Sequence, residues 1–204
     1  QTCALPIYRA IKLQGGGSLL VLGRADLAEG KRNAAIVCPI PPTEKIPVAA
    51  EITAVAKTVI DLQNTLLENI HVSASGIDNT GVKPNERCNF SGNIFVGVGH
   101  LTVGSCDTPA IVRNEFSGRK GVMIRPAAIA VGYSPLADIR GNRVVGPFAI
   151  GVSVSYAECS ATGNTVEDCP TGFLWHGGTV MLKQNSARNC STGLGLRKIG
   201  RAHV

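Results

Sequence analysis

Short stretches in which apolar and polar residues alternate recur from about residue 66 to residue 197. Gly and Asn separate these stretches. A period of two predicts β-strands with one buried face. An apolar residue stands three positions before each of six Asn residues, and the position two after is apolar in five of the six. The six are Asn69, Asn93, Asn114, Asn142, Asn164 and Asn185. Their spacings of 24, 21, 28, 22 and 21 residues predict a solenoid with one coil per repeat.

Asn suits a repeated turn for a physical reason. Its amide both donates and accepts hydrogen bonds, and Asn tolerates left-handed backbone angles. We therefore predict that the six Asn side chains stack as a ladder along the solenoid. Cys169 and Cys190 each follow their Asn by five positions, so they should also stack, at the strand spacing of about 4.8 Å. Spacing alone leaves open whether they are buried thiols or a disulfide.

The Asn-centred pattern resembles the right-handed parallel β-helix repeat of the pectate-lyase-like superfamily. The resemblance covers residues 66–197 and implies an all-β, single-stranded right-handed parallel β-helix with about six coils of 21–28 residues. That superfamily includes lyases, hydrolases, epimerases, phage tailspikes and adhesins, so the resemblance leaves the activity open. It implies a polysaccharide partner and an extracellular or cell-surface location.

Residues 8–65 follow a different pattern. Apolar residues there step by three and four positions, at Ile52, Val55, Val59, Leu62 and Leu66. This spacing predicts a helix at about 48–64. The stretch 59–62 equally fits a strand, so an irregular solenoid coil is the alternative.

Composition narrows the classes of function. The 24 Gly and few aromatic residues (5 Phe, 3 Tyr, 1 Trp) favour the tight turns of a solenoid. Charged residues make up 17% and are scattered, which argues against a nucleic-acid surface despite the net charge of +6. No apolar run is long enough to span a bilayer. The absence of Cys/His clusters argues against a metal site, and no cofactor motif is evident.

The two ends of the chain resemble translated sequencing adaptor. We therefore expect residues 1–7 and 198–204 to be artefacts, and the natural segment to be a fragment of a longer protein. Without Lys198 and Arg201 the 20 basic residues fall to 18, which against 14 acidic ones leaves a net charge of +4.

The outer face of the solenoid holds the candidate binding residues. Counting four positions from the Gly that opens each apolar stretch gives Arg125, Ser155, His176 and Arg197. A polar and partly cationic column of this kind suits an anionic polysaccharide. Tyr133 lies in the 28-residue coil, within residues 126–136, which we predict to contain the insertion, and it could stack on a sugar ring. The alternative is that any solvent-facing side of a solenoid is polar.

No catalytic constellation is visible. Asp and Glu do not cluster, and Glu167 is in register to form an ion pair with Arg188 of the next coil. His71 falls at a predicted inward position. His100 lies in Gly-His-Leu, unlike the Gly-His-Gly of polygalacturonases. We therefore predict a carbohydrate-binding or structural scaffold; the alternative is a fragment of a lyase, hydrolase or epimerase acting on uronate-type polysaccharide.

Overall fold

The computed structural model describes residues 3–6, 10–14, 18–22, 25–26, 31–32, 34–38, 50–78, 81–82, 84–121, 123–124 and 127–197. These residues contain strands and no helix. The strands are Cys3–Pro6 (β1), Ala10–Gln14 (β2), Ser18–Leu22 (β3), Ala25–Asp26 (β4), Lys31–Arg32 (β5), Ala34–Val37 (β6), Ala50–Val55 (β7), Val59–Gln63 (β8), Thr65–Glu68 (β9), Ile70–Ser75 (β10), Ile77–Asp78 (β11), Gly81–Val82 (β12), Arg87–Ser91 (β13), Ile94–Gly97 (β14), Leu101–Gly104 (β15), Ala110–Val112 (β16), Glu115–Gly118 (β17), Ile129–Gly132 (β18), Ala137–Arg140 (β19), Arg143–Val145 (β20), Ile150–Thr162 (β21), Thr165–Glu167 (β22), Thr171–Lys183 (β23), Ser186–Arg188 (β24) and Thr192–Arg197 (β25).

The strands stack in three parallel ladders. The first ladder runs β2-β7-β10-β15-β18-β21-β23-β25, the second β3-β8-β13-β16-β19-β21-β23, and the third β1-β6-β9-β14-β17-β20-β22-β24. The chain visits the ladders in that order in every coil, and β21 and β23 are long enough to belong to both the first and the second. The fold is therefore a right-handed parallel β-helix, as the repeat predicts.

The core lies inside the coils because alternate strand residues point inward. The first ladder contributes pairs such as Val152 and Val154, and the third contributes one large side chain per coil. Phe95 and Phe116 stack there with ring centroids 4.4 Å apart. The inward aliphatic and aromatic side chains are almost all fully buried, so each coil is stabilised mainly by its neighbours.

Five of the six Asn residues form a continuous row of hydrogen bonds between the second and third ladders. Asn93, Asn114, Asn142 and Asn164 each donate their backbone N–H and side-chain Nδ2–H to the Oδ1 of the next Asn, at 2.9–3.0 Å, and Asn185 ends the row. Each Nδ2 also donates to a backbone carbonyl of the preceding coil, as Asn142 does to Ile111 O at 2.8 Å. The left-handed position is the residue before each Asn, at Gly92, Arg113, Gly141, Gly163 and Gln184.

Asn69 lies outside this row, and Thr65 takes the expected place. The N–H of Thr65 donates to Asn93 Oδ1 at 3.0 Å, and the left-handed residue before it is Asn64. Asn69 occupies the turn at the other end of β9, where its Oδ1 accepts the Val98 N–H at 3.3 Å. Shifting the register to Thr65 puts fully buried Leu67 two positions later, which restores the apolar pattern.

The helix predicted at about 48–64 is wrong for the described residues 50–64, which form β7, β8 and the turn between them. The alternative strand at 59–62 matches β8. The spacings of three and four arise because they combine inward Ile52 and Leu62 with Val55, Val59 and Leu66, which are only partly buried. Parallel pairing also continues before residue 66, through β6 and β7, so that position is not a boundary of the solenoid. Of the predicted adaptor segments, residues 3–6 form β1, and residues 198–204 lie outside the described part.

Ion pairs lie on the outer side of the third ladder. Arg143 bridges Glu115 and Glu167, with N–O distances of 3.1 Å to each, and Arg188 lies 3.7 Å from Glu167 as its register suggests. Cys169 and Cys190 lie just beyond this ladder, two residues after the paired Glu167 and Arg188, and both are free thiols. Burial is the main reason why the pKa of Cys169 is raised to about 11, so this thiol is protonated at neutral pH.

Candidate functional site

One outer surface, which we call the polar face, consists of the outward side chains of the first ladder. Strand register arranges them in three columns parallel to the solenoid axis. Column one contains Glu51, His71 and His100. Column two contains Thr53, Ser73, Thr102, Ala130, Ser153, Leu174 and Gly195. Column three contains Val55, Ser75, Gly104, Gly132, Ser155, His176 and Arg197. Most are small or hydroxylated, which leaves the backbone accessible to an extended ligand.

The structure brings three of the predicted binding residues together. Ser155, His176 and Arg197 occupy column three in successive coils. Arg125 lies outside the described residues, and Gly132 takes the position that we assigned to it. Counting four positions from Gly121 does not reach the first ladder in this coil. Ile124, three residues after Gly121, still lies in the link before β18, where it forms a β-bridge with Phe148 of the next coil.

Tyr133 lies directly after β18 and stacks on Tyr156 of the next coil. Their ring centroids are 5.0 Å apart with an interplanar angle of 6°. Both residues adopt left-handed φ, at 50° and 51°, and remain 62% and 48% exposed. The predicted insertion at 126–136 is wrong, because residues 129–132 are a core strand; the extra residues of this coil precede β18. Ser105 and Gly177, which have small side chains, are the next residues along this row.

Two nitrogen-bearing side chains follow Ser155 along column three. The Nε2 atom of His176 is buried and has no hydrogen-bond partner. Arg197 is exposed at the end of the same column. Column three contains no carboxylate among its described residues, so the convergence of acids that an enzyme would need near Ser155 is absent from it.

A second cluster occupies the adjoining coils of the polar face, on β10 and β15. The rings of His71 and His100 stack with centroids 3.8 Å apart and an interplanar angle of 16°. Glu51 Oε1 lies 3.8 Å from His71 Nδ1, and the Thr102 hydroxyl lies 3.3 Å from His71 Nε2. On its other side His100 Nδ1 lies 3.4 Å from the Val98 carbonyl. Since a carbonyl only accepts, His100 carries its proton on Nδ1.

Burial sets the protonation of these rings. Desolvation, followed by the neighbouring His100, lowers the pKa of His71 to about 4. Desolvation also lowers the pKa of His100, against smaller opposing effects of Val98 and Glu51. Both imidazoles are therefore neutral at pH 7. With Nδ1 of His71 turned to the carboxylate, its Nε2 lone pair faces the Thr102 hydroxyl.

Sequence reasoning missed this cluster because it placed His71 inward. His71 lies between buried Ile70 and Val72 and therefore points outward. The error follows from counting the first coil from Asn69. The alternation within 70–75 could have revealed the outward position, but the approach of Thr102 depends on the pairing of β10 with β15.

A cavity of about 400 Å³ lies at the C-terminal end of the described solenoid, away from the polar face. Its lining is Phe173, Leu182, Lys183, Gln184, Asn185, Ala187, Gly193 and Leu194. Within the described residues, no helix has the length and apolarity to cross a membrane. The same residues contain no cluster of three or more side chains suited to hold a metal ion.

The three ladders define the class of this chain: it is a parallel β-helix solenoid. No protein-family model matches it, and no curated protein matches it. Among solved structures it is similar to WceF of Pantoea stewartii, described as a glycan biofilm modifying enzyme with a bacteriophage tailspike-like parallel β-helix fold. The two are 11% identical with a TM-score of 0.40, over 98% of this chain and 33% of that one. The chain thus spans about a third of the length of WceF.

Proposed function

We propose that the polar face binds an extended polysaccharide and that Tyr133 and Tyr156 are its main contact. The observation that supports this most directly is the exposed pair of parallel, stacked tyrosine rings. Because Tyr133 and Tyr156 are 62% and 48% exposed, their rings leave apolar surface in contact with water. A sugar ring offers a flat apolar face that can cover them, and its hydroxyl groups can then bond to column three.

The neighbouring side chains favour an acidic sugar. Arg197 supplies a permanent positive charge, and His176 lies between it and Ser155 in the same column. Ser155 provides a hydroxyl that can donate or accept. These groups lie at successive strand spacings of about 4.8 Å, so they can contact a chain that runs along the solenoid axis. A polysaccharide partner also implies that the protein works outside the cell or at its surface, which is part of the proposal.

Calorimetric titration with neutral and uronate-containing polysaccharides tests this function. We expect Tyr133→Ala and Tyr156→Ala each to weaken binding about 2- to 10-fold, from the 0.5–1.5 kcal/mol typical of an aromatic stack. Arg197→Gln should weaken binding of the uronate polymer alone and reduce its salt dependence. Met181→Ala is the matched control, since Met181 is 65% exposed on the second ladder. Binding that both tyrosine variants leave unchanged would refute the proposed site.

A further inference from the structure

We propose that Glu51, His71 and Thr102 form a carboxylate–imidazole–hydroxyl relay that cleaves esters of small carboxylic acids. The three side chains come from successive strands β7, β10 and β15 of the first ladder. They lie in the order that nucleophilic catalysis requires, with the carboxylate at Nδ1 and the hydroxyl at Nε2 of one ring. Resting distances of 3.8 and 3.3 Å fit a relay that tightens around substrate.

The surroundings of the relay favour this chemistry over a purely structural contact. His71 has the protonation state of a base at neutral pH, since burial keeps its ring uncharged. The stacked His100 fixes the plane of that ring and is a positioning residue. Thr102 lies between Ser73 and Ala130 in column two, so small side chains leave room for a small acyl group at its hydroxyl.

The reaction balances without any redox partner. Thr102 Oγ1 forms a bond to the ester carbonyl carbon while its proton passes to His71 Nε2. The bond from that carbon to the alcohol oxygen breaks, and the leaving alcohol takes the proton from His71. Water then attacks the acyl-threonine, and the proton that it loses returns through His71 to Thr102 Oγ1 as the carboxylic acid leaves. Glu51 stabilises the imidazolium formed in each half.

The test uses p-nitrophenyl acetate with the full chain. We expect wild-type protein to release p-nitrophenol and to form an acetyl adduct on Thr102 that mass spectrometry of the acid-quenched protein detects. Thr102→Val and His71→Gln should lower the rate about 100-fold or more, and Thr102→Ser should retain turnover. Thr179→Val is the matched control, because Thr179 is an exposed threonine of β23 outside the polar face and should leave turnover unchanged.

Three results would overturn the relay: wild-type turnover no faster than that of Thr102→Val, the absence of the adduct, or a rate that does not fall when His71 is protonated below about pH 4. A fold control is the melting temperature of each variant. Cleavage of an ester on a bound glycan would rest on the proposed function, whereas p-nitrophenyl acetate needs no glycan site. Tyr133→Ala should therefore keep its turnover, so failure of one proposal is distinguishable from failure of the other.

Discussion

Removal of one interior rung of the Asn row should destabilise the solenoid strongly. Asn142 is 1% exposed, and its side chain makes four hydrogen bonds. Its Oδ1 accepts the Asn114 N–H at 2.9 Å and Nδ2–H at 3.0 Å, and its Nδ2 donates to Ile111 O at 2.8 Å and Asn164 Oδ1 at 2.9 Å. In Asn142→Ala the Asn114 N–H, in a residue that is 1% exposed, loses its acceptor.

The size of the effect follows from these bonds. An orphaned buried polar group costs about 1–3 kcal/mol, and each neutral hydrogen bond contributes about 1 kcal/mol. The other three groups that bond to the Asn142 side chain keep a second partner or stay within the ladder of hydrogen bonds. We therefore expect Asn142→Ala to lower the free energy of unfolding by about 3 kcal/mol. Urea denaturation followed by circular dichroism measures this loss.

Asn185 provides the comparison, because it has the same role at the end of the row but is partly exposed. Water can replace its lost bonds, so Asn185→Ala should cost about 1 kcal/mol. If the two variants lose equal stability, or if Asn142→Ala loses less than 1 kcal/mol, the row is not a source of stability.

Two more predictions concern protons and packing. Because the folded state lowers the pKa of His71 from 6.5 to about 4, the stability it provides is present above pH 6.5 and is lost as pH falls toward 4. Urea melts at pH 7 and pH 4.5 should differ by about 2–3 kcal/mol more in wild type than in His71→Gln; an equal difference would contradict this. Gly151→Ala should destabilise the fold several-fold more than Gly193→Ala in the same register, since its Cβ would clash with Val166 Cγ1, whereas the nearest atom to a Cβ at Gly193 is Ala187 Cβ at 3.8 Å. Melting temperatures that fall equally would show that the chain relaxes around the added methyl group.

Much of the fold follows from the sequence because each coil repeats a local rule. An apolar residue, a left-handed turn residue and an Asn recur at a fixed offset, so the third ladder and its buried Phe95, Phe116 and Val144 follow from spacing. The first coil of the repeat breaks the rule with Thr65. Thr65 lacks the side-chain amide but donates the same backbone N–H to the row. The sequence prediction, which searched for Asn, therefore placed this coil four residues too late, at Asn69.

The candidate site depended on tertiary structure to a greater extent. The sequence alone determined that Ser155, His176 and Arg197 share a column, because regular coils preserve their offset. It did not determine the neighbours of Tyr133 or His71, since coils of unequal length shift which residues meet. Only the pairing of β18 with β21 places Tyr156 on Tyr133, and only the pairing of β10 with β15 brings the Thr102 hydroxyl to His71. Contacts between coils are set by ladder register, and register depends on the length of every turn between them.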